Sequence, residues 1–156
     1  MTVGAFAVLA YLDSPARRVE TLDDVAGLWQ THPWAAALMA IFLISLIGLP
    51  LTAGFVGKFW LFVGALAAPA EGPMQNLFRV LALVGVLNAA IAAYYYIRVI
   101  MAMYLRSSLA APAPVTRAHP ALLAASICAA VTVGFGLYPK PLQEACWRAF
   151  EAVRAG

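Results

Sequence analysis

From Trp34 to Ala68 the chain runs for thirty-five residues with a single charge, Lys58. As one straight helix this run would be about 52 Å long at 1.5 Å per residue, against a bilayer hydrocarbon core of about 30 Å. It therefore has to tilt strongly or break. Gly48-Leu49-Pro50 supplies a break. Pro50 has no N–H, so the carbonyl of Leu46 loses its helical partner. Ser45 and Thr52 flank the interruption with hydroxyls able to satisfy freed backbone groups. Lys58 follows the proline by eight residues. A lysine inside a span costs roughly 2.5–3.5 kcal/mol on insertion scales. A broken helix with an ionisable group beside the break is the pattern of an ion or proton path through a membrane.

Composition agrees. Of 156 residues, 64% are hydrophobic and 11% charged, which excludes a soluble domain. The net charge of +3 is scattered, and no basic run points to nucleic acid. Most arginines lie at span ends, where they anchor helices at the membrane surface. Counted by side, the cations balance four against four, so charge bias does not orient the chain. Cys128 and Cys146 show no Cys-x-x-Cys spacing and read as small apolar side chains rather than a disulfide or metal pair. There is no Gly-x-Gly-x-x-Gly, no cysteine ligand set and no histidine pair within a span. No cofactor or metal site is expected in this chain.

The segments follow from apolar runs and their punctuation. Residues 1–12 are apolar but too short to span, and read as the back half of a helix. Asp13-Ser14-Pro15 is turn chemistry, and 13–33 forms a polar loop carrying Arg17, Arg18 and Glu20. Within it, Thr21 to Asp24 resembles a capping box. Leu22, Val25, Leu28 and Trp29 share a helical face, which suits a short surface helix or, equally, a loop with a tryptophan anchor. The broken helix, 34–68, ends at Pro69, Gly72 and Pro73. Helices over 77–105 and 119–138 follow, separated by a Pro/Ala-rich connection from Ser107 to Arg117. His32 and His119 stand at helix entries and read as surface residues. The tail, 139–156, is amphipathic: Leu142, Cys146, Phe150 and Val153 mark one face, with a Glu144/Arg148 i,i+4 pair on another. The fold class is an all-α polytopic transmembrane bundle in one membrane domain. It has about three full spans, a truncated first helix, a proline-interrupted helix and an amphipathic tail.

Desolvation of an ammonium group favours release of its proton, so a lysine in this setting is suited to proton transfer. Gly54 and Gly57 leave room around Lys58 for water or another helix. The plainer alternative is a lysine that snorkels to the interface. Asn88 lies mid-span and suits an interhelical hydrogen bond. Tyr94-Tyr95-Tyr96 with Arg98 reads as an interfacial belt with a snorkelling cation, or as the polar end of an ion route. Val80–Ile97 and Ala121–Tyr138 hold no Asp, Glu, Lys, Arg or His. A relay across about 30 Å therefore needs groups from helices or chains outside this sequence.

Three stretches carry a resemblance: Gly4-Ala-Phe6; Ser45-Leu-Ile-Gly-Leu-Pro50-Leu-Thr-Ala-Gly-Phe-Val-Gly-Lys58-Phe; and Tyr94-Tyr-Tyr-Ile-Arg98-Val-Ile. Together they resemble the antiporter-like, proton-translocating subunit family of bacterial NADH:quinone oxidoreductase (respiratory complex I), its subunit N branch in particular. The likeness runs through Tyr-Pro-Lys-Pro-Leu142. It implies the last helices of a fourteen-helix subunit, with a broken twelfth helix whose lysine corresponds to Lys58 on the terminal proton route. It implies a cytoplasmic 13–33 loop, a tail on the outer face, and a multi-pass location in the bacterial inner membrane. The implied partners are lipid, the other membrane-arm subunits and the earlier helices of the same subunit. NADH, FMN, iron–sulfur clusters and quinone would be bound by other subunits. The family's glutamate and two lysines of earlier helices have no counterpart here. Two other readings stay open: a subunit of a sodium/proton antiporter, and a purely structural membrane-arm segment.

Overall fold

The computed structural model describes residues 1–13, 19, 21–67, 73–107 and 119–155. The expectations for Arg17, Arg18, Glu20, Pro69, Gly72 and residues 108–117 lie outside the described residues. Among those described, the chain is an all-α bundle of membrane character with seven helices. These are α1 (Thr2–Leu12), α2 (Leu28–Thr31), α3 (Pro33–Ile47), α4 (Ala53–Ala67), α5 (Pro73–Leu105), α6 (His119–Leu137) and α7 (Lys140–Ala155). Two continuous stretches, Asn76–Leu105 and Pro120–Leu137, are long and apolar enough to cross a membrane. α3 and α4 have 15 residues each, so each is about 22 Å long and falls short of a bilayer core.

α3 is the hub. It packs against α1, α2, α5 and α6. Its Leu38, Met39, Phe42 and Leu43 meet Val8 of α1, Met103 of α5 and Ala125 and Ala129 of α6 in one buried cluster. Phe42 is fully buried, and its ring lies where a Cβ on Gly4 would sit. Only glycine at position 4 lets α1 approach so closely. The second half of α5 joins this core through Tyr96, Val99, Ile100 and Met103. Its first half leaves Leu81, Leu83, Val84 and Leu87 exposed.

Several boundaries depart from the sequence expectation. Pro73 opens α5 rather than closing the preceding segment, four residues before the expected start at Leu77. Proline suits a first helical position, where its missing N–H removes no helical bond. Of the two readings open for 22–29, a surface helix or a loop with a tryptophan anchor, the structure has the loop. Residues 21–27 form turns, and α2 begins only at Leu28. Thr21 does close onto Asp24: its N–H and its hydroxyl both donate to Asp24 Oδ2, at 2.8 and 2.7 Å. Val25 and Leu28 then turn into the core, because the loop is tied to the end of α5. Gly27 N–H donates to the Ala102 carbonyl at 3.2 Å, Arg106 pairs with Asp23 at 3.0 Å, and Trp29 stacks on Tyr104. His32 is half-buried, edge-on to Tyr11. In α7 the Glu144/Arg148 pair does not close. Trp147 Nε1 instead donates to Glu151 Oε1 at 2.9 Å, taking up one of the helix's acidic groups. Cys128 and Cys146 are free thiols.

Candidate functional site: a lysine on the carbonyls of a broken helix

The break between α3 and α4 spans residues 48–52. Gly48 ends α3 in the left-handed region, at φ 89°. Its N–H and that of Leu49 both donate to the Ile44 carbonyl, at 3.1 and 3.3 Å. This is the glycine-capped helix ending that left-handed backbone permits. The termination thus falls at Gly48, and Pro50 ensures that the helix cannot resume there. Leu51 holds φ 73°, unusual for a residue with a γ-branched side chain.

The restart has its own caps. Thr52 sits just before α4, and its Oγ1 accepts from Phe55 N–H at 3.4 Å while donating to the Leu49 carbonyl at 2.7 Å. The buried Ser45 hydroxyl reaches across from α3 to accept from Gly54 N–H at 3.3 Å. Two of the orphan donors that every helix start leaves are thereby satisfied, one from each side of the break. A Cβ at Gly54 would overlap the Ser45 carbonyl, so α4 starts in direct backbone contact with the end of α3.

At the other side of the break, α3 leaves carbonyls without helical partners. The partner of Leu46 would be the nitrogen of Pro50, and that of Ile47 would be Leu51. Lys58 takes both. Its Nζ donates to the Leu46 carbonyl at 2.7 Å and to the Ile47 carbonyl at 3.0 Å. The helix macrodipole places roughly half a negative charge at this C-terminal end, so a cation is favoured there twice over, by acceptors and by field. Gly48 makes room for the lysine stem, since a Cβ there would lie 3.1 Å from Lys58 Cδ. Lys58 is half-buried. Its neighbour Gly57 is exposed, with nothing near the position of a Cβ, so one flank of the lysine is open.

The structure therefore brings Ser45, Gly48, Pro50, Thr52 and Lys58 into one site. It does not bring in Asn88, Tyr94, Tyr95 or Arg98. All four are exposed on α5. Asn88 lines a shallow groove between α4 and α5 with Phe62 and Gly85 and makes no interhelical hydrogen bond. Tyr95 packs against Tyr96, with ring centroids 4.4 Å apart. The sequence reading missed the carbonyl pair as the partner of Lys58. The signal was present: a proline that orphans a carbonyl, followed by a cation one and a half turns into the next helix. Among the described residues, no group of three or more His, Cys, Asp or Glu side chains is placed to hold a metal.

Residues 1–86 match the family described as NADH:quinone oxidoreductase/Mrp antiporter, TM. That stretch includes the whole α3–α4 break. A protein of Methylobacterium nodulans named NADH-quinone oxidoreductase subunit N is 39% identical over 142 residues, covering 91% of this chain and 27% of the relative. The protein of that name from Gemmatimonas aurantiaca is 39% identical over 151 residues, 95% of this chain and 28% of its own length. The one from an Anaeromyxobacter species is 48% identical over 117 residues, 75% of this chain and 22% of its own length. The chain thus spans about a quarter of the length of the curated relatives it matches.

Proposed function

This chain belongs to the NADH:quinone oxidoreductase/Mrp antiporter transmembrane family, and from that premise we propose that it forms the C-terminal part of a subunit N, within the membrane arm of a proton-translocating NADH:quinone oxidoreductase. Its place is the bacterial inner membrane, which it crosses more than once. Lys58 holds a proton near the end of the translocation path. NADH, FMN, iron–sulfur clusters and quinone belong to other subunits on this reading, and this chain contributes translocation rather than redox chemistry.

The observation that carries the reading is the seat of Lys58 Nζ on the Leu46 and Ile47 carbonyls, inside the stretch that matches the family. The seat holds the amine by two hydrogen bonds at the C-terminal end of α3. A neutral amine donates more weakly to the same carbonyls, so proton release loosens the tie between the two half-helices. Arrival of a proton restores it. Protonation is thereby coupled to the geometry of the break, as half-helix termini couple ions to conformation in transporters. Lys58 has carbonyls rather than a carboxylate as its partners, so the proton donor before it and the acceptor after it lie on other segments.

The names of the relatives favour this reading over a sodium/proton antiporter subunit, although the family description covers both. The test is Lys58→Ala in the intact complex. Protons moved per electron, measured in closed membrane vesicles, fall while the complex assembles and NADH oxidation continues. A normal proton yield contradicts the role given to Lys58. Sodium-driven exchange without quinone-linked activity favours the antiporter reading instead.

A further inference from the structure

The break does not stand free. The last turn of α6 presses on it. A Cβ at Gly136 would overlap the Leu51 carbonyl and Thr52 Cα. Gly134, on the same helix, has nothing within 4 Å of the position of a Cβ. Leu51, the residue Gly136 touches, is the one non-glycine described residue with a positive φ, at 73°. A leucine is held there only when its surroundings over-determine the backbone. Its side chain is exposed, so the constraint acts on the backbone. Thr52, the second residue touched, caps α4, and α4 carries Lys58.

We propose that Gly136 of α6 is a positioning residue for the Lys58 site. By admitting the Leu51 carbonyl against its bare Cα, it fixes the 48–52 linker. The linker in turn sets the start of α4 and the distance from Lys58 Nζ to the α3 carbonyls. The chain of contact is continuous: Gly136 to Leu51 and Thr52, Thr52 to the first turn of α4, Lys58 to Leu46 and Ile47. Any group at position 136 larger than hydrogen lifts the linker from α6 and lengthens the Lys58 seat. Thr132, one turn before Gly136, is buried but donates its hydroxyl to the Cys128 carbonyl of its own helix, so the contact described here is one of backbone against backbone. This inference rests on the proton-transfer role proposed for Lys58.

The experiment is a double-mutant cycle in the intact complex, read as protons per electron in vesicles and normalised to assembled complex. Gly136→Ala lowers the yield toward that of Lys58→Ala, and Gly134→Ala leaves it normal. In the Lys58→Ala background, Gly136→Ala lowers it no further, because both changes act through one seat. A normal yield in Gly136→Ala beside a low one in Lys58→Ala overturns this inference alone. So does a Gly136→Ala loss of the same factor in both backgrounds. A normal yield in Lys58→Ala overturns the reading beneath it. Should Gly136→Ala prevent assembly, Leu51→Val carries the same expectations from the other side of the contact. A β-branched residue resists positive φ, and the exposed side chain removes no packing.

Discussion

α3 and α4 are two halves of one apolar run, equal in length, yet they fold into opposite surroundings. α3 buries eight of its 15 residues, whereas α4 buries Gly54 alone. α3 is clamped among four other helices, and its C-terminal carbonyls are fixed points. α4 is tied to α3 at its start, through Ser45, Thr52 and Gly54 and through the reach of Lys58, and further along it leans on α5 through Phe62 and Gly85. One half supplies rigid acceptors and the other supplies the charge. On the role proposed for Lys58, that division suits proton exchange, because the acceptors stay fixed while the lysine moves on a flexible four-carbon stem.

The largest effect should come from the buried half. Phe42→Ala removes a fully buried ring and leaves a cavity, at a cost of about 3–5 kcal/mol. Leu61→Ala, on an exposed position of α4, should cost within about 0.5 kcal/mol. Thermal inactivation of the detergent-solubilised complex compares the two. Equal losses would mean that the outer face of α4 is covered in the assembly, and the contrast between the halves would disappear.

Next is the junction. Gly54→Ala drives a Cβ into the Ser45 backbone carbonyl, which cannot swing away as a side chain could, and overpacking of this kind costs about 1–3 kcal/mol. Gly57→Ala, three residues on, meets open space and should be neutral or stabilising by up to about 1 kcal/mol, since alanine favours helix over glycine. The same melting comparison checks both. Destabilisation by Gly57→Ala matching that of Gly54→Ala would show that α4 is packed on its open flank. A smaller loss than at Gly54 is expected for Thr52→Ala, which removes the helix cap at about 1 kcal/mol. Thr52→Ser, which keeps the hydroxyl, should recover most of that loss.

Much of this was readable from residues. The length of the apolar run required a break, Gly48-Leu49-Pro50 located it, and Pro50 identified Leu46 as an acceptor without a partner. What was not readable was which donor would fill it. That depends on the angle at which α4 folds back, which Gly54 and the α6 contact set through space. Asn88, Tyr94, Tyr95 and Arg98 looked like candidates because polar groups in apolar helices are rare. Sequence spacing does not say which face of a 33-residue helix meets its neighbours, and α5 turns these residues outward. Val25 and Leu28 show the same limit from the other side. Their face is apolar whether it meets lipid or core, and the tie of Gly27 to Ala102 decides for the core.

Lys58→Arg tests the central claim most directly. Arginine keeps a positive charge and several donors for the Leu46 and Ile47 carbonyls, but it does not release its proton in proteins. If Lys58 works by exchanging a proton, the Lys58→Arg complex assembles and melts close to the wild type, yet its proton yield per electron in vesicles falls as far as that of Lys58→Ala. A normal yield with arginine would show that a fixed charge on the α3 carbonyls suffices, and proton exchange at Lys58 would have to be abandoned.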